Sequence, residues 1–175
     1  MSRAETKARS LLEKTGMDQI PVPVEKIAEG LGVKLRYEPF EGDISGMLFR
    51  DEQRTIIGVN SRESLARQRF TISHEIGHLL LHRGRPMFVE KHVHVNLRDS
   101  RSSTATNQEE IEANQFAAEL LMPNSAVRRE ALKRLTKGVP SSGEELAEHL
   151  AKAFRVSKQA MEFRLTNLGI LFSSD

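Results

Sequence analysis

Arg69-Phe70-Thr71-Ile72-Ser73-His74-Glu75-Ile76-Gly77-His78-Leu79-Leu80-Leu81-His82 sets two histidines four residues apart with a glutamate directly after the first. Leu65, Phe70, Ile72, Ile76, Leu79 and Leu80 recur at helical spacing, so the stretch predicts one helix over Ser61 to Leu81, closed by Gly84 and Pro86. On a helix, positions i and i+4 share a face about 6 Å apart along the axis, which lets both imidazoles converge on one ion. Glu75, one step further round, reaches a water beside the ion rather than the ion. This is the pattern of a zinc site with a glutamate general base: the metal lowers the pKa of water toward about 7 and the carboxylate takes the proton. With six histidines in 175 residues, shuffling yields about 0.02 such matches per chain. The competing reading is a chance pair of histidines on an apolar helix.

Composition narrows the remaining choices. A chain of 175 residues suits one compact domain or a domain with a small appended module. With no cysteine there is no disulfide, thiolate cluster or cysteine nucleophile, so a metal site must use histidine and carboxylate. A net charge of +2 does not argue for nucleic acid, and 5% aromatic residues do not furnish a base-stacking surface. Apolar runs are short and the N-terminal stretch is charged, which predicts a cytoplasmic protein with no membrane span.

Outward from the histidine helix, Arg3 to Lys14 reads as a first helix stopped by Gly16, and Val24 to Leu31 as a short second one. Val33 to Tyr37, Gly46 to Arg50 and Thr55 to Asn60 read as strands of a small sheet. From Val89 to Leu97 apolar residues alternate with Glu90, His92, His94 and Asn96, as on an edge strand; Asp99 to Asn107 reads as a loop. Thr106-Asn107-Gln108-Glu109 is a capping-box pattern for a helix ending at Met122 before Pro123, and another helix is expected over Ala126 to Leu135. Residues 137–143 read as a linker, dividing a core of residues 1–136 from a C-terminal subdomain of residues 137–175.

Two histidines and a water need a third protein ligand. His82 stands about 12 Å along the helix axis from His74 and is expected to act behind the ligands or at the helix end. His92 and His94 share a strand face and could chelate. On the helix Glu109 to Met122, Glu112 shares the face of Phe116 and Leu120, whereas Glu110 is turned away and Glu119 comes a turn late; Glu109 is the rival. A carboxylate on an apolar face is costly unless paired or metal-bound, which makes Glu112 the expected third ligand.

The segment Arg69 to His82, followed by Glu112-Ala113-Asn114-Gln115-Phe116-Ala117-Ala118-Glu119-Leu120-Leu121-Met122-Pro123, resembles the ImmA/IrrE family of zinc metallopeptidases. The similarity extends upstream to Pro23 to Ala28 and downstream to Leu150 through Leu171. The resemblance implies an α+β, zincin-like (gluzincin-like) minimal metallopeptidase that uses zinc, with manganese as an in vitro substitute. It further implies cleavage of a helix-turn-helix transcriptional repressor, which derepresses stress or mobile-element genes. By the same matching His74, His78 and Glu112 are the metal ligands and Glu75 is catalytic. One departure stands out. Thermolysin-type enzymes place an aspartate four residues after the ligand glutamate to orient a ligand histidine, and counted from Glu112 that position is Phe116. The group that stabilises the oxyanion is left to His92 or His94.

Leu146 to Leu165 has the rhythm of a helix-turn-helix, with Ser157 as the cap of its second helix. The alternative function is therefore a DNA-binding regulator with a non-catalytic metal site. Its recognition helix would offer Lys158, Gln159, Arg164 and Asn167, interrupted by Glu162 and Phe163. That mixed face suits protein docking better than phosphate contacts, so strong nucleic-acid binding is not expected.

Overall fold

The computed structural model describes residues 2–82, 87–91, 105–136, 138 and 142–171. Helix α1 (Arg3–Thr15) opens with a capping box between Ser2 and Glu5 and closes on Gly16 at φ 64°, a left-handed value that glycine adopts without strain. Helix α2 (Val24–Gly30) leads into β1 (Val33–Glu38), β2 (Ile44–Arg50) and β3 (Thr55–Asn60). With β4 (Met87–Lys91) these strands make a four-stranded sheet in the order β1-β3-β2-β4. β1 runs parallel to β3, and β2 runs antiparallel to both β3 and β4. The expected edge strand is thus present over its first residues, while His92 and His94 lie outside the described residues.

Helix α3 (Leu65–Leu81) carries the two histidines. It begins four residues later than the periodicity suggests, because Ser64 accepts a hydrogen bond from the Arg67 N–H and caps the first turn there. Ser61 instead donates its N–H to the Glu38 carbonyl at the end of β1. Arg69 holds the helix to the segment before α2, donating to the Val22 carbonyl at 2.8 Å from a buried position.

Helix α4 (Ala105–Leu121) crosses α3 closely and starts within the stretch expected to be a loop. A Cβ on Gly77 would stand 3.2 Å from the Ala113 Cα and 3.3 Å from its carbonyl oxygen, so the crossing needs a glycine facing an alanine. Helix α5 (Asn124–Leu135) follows Pro123; α6 (Gly143–Phe154) and α7 (Lys158–Asn167) are capped by Ser142 and Ser157.

The last two helices pack as part of the same apolar core. Leu146, Leu150, Phe154, Met161 and Leu165 are buried in one cluster with Ala8, Ile27, Ile72, Ile76, Phe116 and Leu120. Arg164, one of the side chains a DNA-reading helix would offer, is buried against Glu119 of α4 and donates to the Met122 carbonyl at 3.0 Å. Lys158 is paired with Glu144 and Glu162. Among the described residues no helix is long and apolar enough to cross a membrane.

Candidate metal centre

One turn of α3 separates His74 and His78, and the helix faces inward there: both side chains are about 1% exposed and their Nε2 atoms lie 2.9 Å apart. The Glu110 carboxylate closes over them, with Oε2 3.2 Å from His74 Nε2 and Oε1 3.2 Å from His78 Nε2. Ligand atoms of these three residues all lie within 4.8 Å of one another, and among the described residues they form the group of histidines and carboxylates able to hold a metal. Two imidazoles and a carboxylate are a donor set that suits zinc and leaves a fourth position open.

The electrostatics agree with that use. Burial pushes the His78 imidazole below its ordinary pKa, only partly offset by Glu110, so its neutral, ligating form is favoured. Burial by itself would raise the Glu110 carboxyl, but its contacts with the His74 and His78 rings outweigh it and hold the group far below the usual carboxylate range. Glu110 therefore stands as an anion among nitrogen donors.

Contrary to the expectation from the sequence, Glu110 is not turned away from the histidines, because the largest apolar residues of α4, Phe116 and Leu120, do not mark the side facing the site. At the crossing the residue nearest the α3 backbone is Ala113, and Glu110, Ala113 and Asn114 share a helical face at spacings i, i+3 and i+4. Phe116 and Leu120 are fully buried in the apolar core. Glu112, expected as the third ligand, has its Oε2 2.9 Å from His82 Nε2. The rival Glu109 is not part of the His-His-Glu group.

Behind the cluster each histidine has a partner. Asn114 Oδ1 lies 3.0 Å from His74 Nδ1 and accepts its proton, which leaves the His74 Nε2 lone pair toward Glu110 and His78. Counted from Glu110, Asn114 is the fourth residue on. That spacing matches the orienting position of thermolysin-type enzymes, and the one sequence signal for it, Glu110 to Asn114, was masked by counting from Glu112. His82 follows the last turn of α3 with φ −119°, and its ring turns back to place Nδ1 3.2 Å from His78 Nδ1.

Glu75 is fully buried and its Oε1 approaches β2, 3.7 Å from where a Cβ on Gly46 would stand. That same Cβ would collide with Thr71 Cγ2, so a glycine at this point of the strand is what lets α3 lie against the sheet. The structure thus brings His74, His78 and Glu75 together on one helix and adds Glu110 and Asn114 from another.

The chain shares 34% identity over 86 residues with a protein of Bacillus phage phi105 described as uncharacterized immunity region protein 2. That match covers 49% of each chain, so the protein spans about half the length of this curated relative. A model of the peptidase family M78, described as the IrrE N-terminal-like domain, matches residues 28–166. Spanning both helices of the His-His-Glu cluster and most of the C-terminal pair, that match shows that the chain belongs to the ImmA/IrrE peptidase family.

Proposed function

We propose that the protein is a zinc-dependent endopeptidase acting in the cytoplasm on a helix-turn-helix transcriptional repressor, relieving repression of stress or mobile-element genes. The observation that carries the reading is the convergence of His74 Nε2, His78 Nε2 and the Glu110 carboxylate beside a fully buried glutamate on the same helix. His74, His78 and Glu110 would hold the ion, with Glu110 in the place expected of Glu112. Zinc held by these residues would supply Lewis acidity for polarising the scissile carbonyl and acidifying water. Glu75 accepts the proton of the attacking water and delivers it to the leaving amine, a transfer its burial between α3 and β2 shields from bulk solvent. Asn114 keeps His74 in the tautomer that ligates.

Family membership supports the peptidase chemistry, and the immunity-region relative supports a repressor as substrate. The test uses the zinc- or manganese-loaded protein and the repressor encoded beside its gene. Cleavage by the wild type and none by Glu75→Gln is the expected result. An intact repressor after incubation with the metal-loaded wild type overturns the substrate assignment, and a protein that takes up no zinc overturns the enzyme assignment.

A further inference from the structure

Glu112 and His82 belong to neither the ligand trio nor the proton-transfer step, yet they stand in line with it. Glu112 Oε2 is 2.9 Å from His82 Nε2, and His82 Nδ1 is 3.2 Å from His78 Nδ1. His82 is about 9% exposed, so its ring exchanges little with water. We propose that Glu112 and His82 form a hydrogen-bonded chain that fixes the tautomer and ring orientation of His78, making both of them positioning residues for the metal centre.

The directions of the bonds follow from the donor inventory. An ionised carboxylate only accepts, so the proton in the first contact is on His82 Nε2. A neutral imidazole protonated at Nε2 carries its lone pair on Nδ1, so in the second contact His82 accepts and His78 donates its Nδ1–H. His78 Nε2 is then left with its lone pair aimed at His74 Nε2 and Glu110, where a ligand atom must point. Asn114 does the same for His74 with one side chain. The two ligand histidines are thus held by unlike devices, an amide from α4 and a histidine–carboxylate chain that joins the end of α3 to α4. Glu112 also gains a role that accounts for its place on the helix. It braces the site from behind.

This inference rests on the metal-binding reading, and the experiment separates the two. Zinc affinity is measured by chelator competition for the wild type, Glu112→Leu, His82→Phe, the double variant, and His74→Ala as the reference for loss of a ligand. Each single change in the chain should lower zinc affinity by about 10–100-fold. The double variant should fall no further than the weaker-binding single, because both changes cut one chain. A second readout needs no metal: 15N–1H spectra of the imidazole nitrogens in the zinc-free protein should find His78 protonated at Nδ1 in the wild type and this preference lost in His82→Phe. Glu112→Leu removes both acceptor oxygens from a partly exposed side chain, so its fold survives the change. If the wild type binds zinc and His74→Ala does not, while Glu112→Leu and His82→Phe bind within threefold of wild type, the chain is overturned and the metal site stands. Additive losses in the double variant also overturn a single chain. If the wild type takes up no zinc, the metal reading fails first.

Discussion

Glu75 and Glu110 are both carboxylates within reach of the histidine pair, and their environments assign them different work. Glu110 faces two imidazole nitrogens at 3.2 Å, as a ligand does. Glu75 is on the helix between the two histidines and turned toward β2. Glu75→Gln should therefore retain about one zinc per chain by elemental analysis while hydrolysis falls by at least the 10²–10⁴-fold typical of a general base. Full retention of cleavage in that variant removes Glu75 from the proton-transfer role. For the third ligand, Glu110→Ala should release zinc as completely as His78→Ala, whereas Glu112→Ala should weaken binding by the smaller factor expected of a residue behind the ligands. The opposite ranking in chelator competition would return the ligand role to Glu112. That His74, Glu75 and His78 lie together was legible from the chain because their relation depends on one helical turn. Glu110 was not, since its reach depends on which side of a second helix meets the first.

At the scale of elements, the crossing of α3 and α4 determines whether the carboxylate arrives. Gly77 and Ala113 let the two backbones touch, and the Phe116 ring, 3.2 Å from a Cβ built on Gly77, fills the space beside them. Gly77→Ala gains up to about 1 kcal/mol of helix propensity but sets a methyl against backbone that yields only by moving a helix. The larger Gly77→Val should cost about 1–3 kcal/mol in denaturant unfolding and should also lower zinc affinity, by displacing Glu110 from the histidines. A variant that is destabilised yet binds zinc as the wild type does would detach the crossing from the site. Helix and strand positions were mostly readable, since signals such as the Gly16 stop and the Ser157 cap act within four residues. The start of α3 was not, because Ser64 caps it while Ser61 is drawn off to hydrogen-bond with β1.

Over the whole molecule, the C-terminal pair is tied to the core through a buried ion pair. Arg164 of α7 meets Glu119 of α4, and Arg9 of α1 approaches the same carboxylate at 3.6 Å. Arg164→Met should destabilise the entire fold by about 3–5 kcal/mol, because it leaves a buried carboxylate short of its partner. Unfolding followed at α1 and at α7 should shift together; a shift confined to the C-terminal helices would show that they fold apart. With Arg164 occupied and Lys158 paired, DNA binding should be weak, sequence-independent and lost between 50 and 200 mM salt. Selective nanomolar binding with an intact repressor would favour the regulator reading instead. What could be known from the chain was everything that repeats within a turn or a strand: the helices, the small sheet, and two histidines with a glutamate between them. Dihedral angles and local capping suffice for those. The identity of the closing carboxylate and the partners behind each histidine came from packing, as did the union of the C-terminal helices with the core. These depend on the rotation and closest approach of helices far apart in sequence, which at the crossing of α3 and α4 is set by two small residues, Gly77 and Ala113.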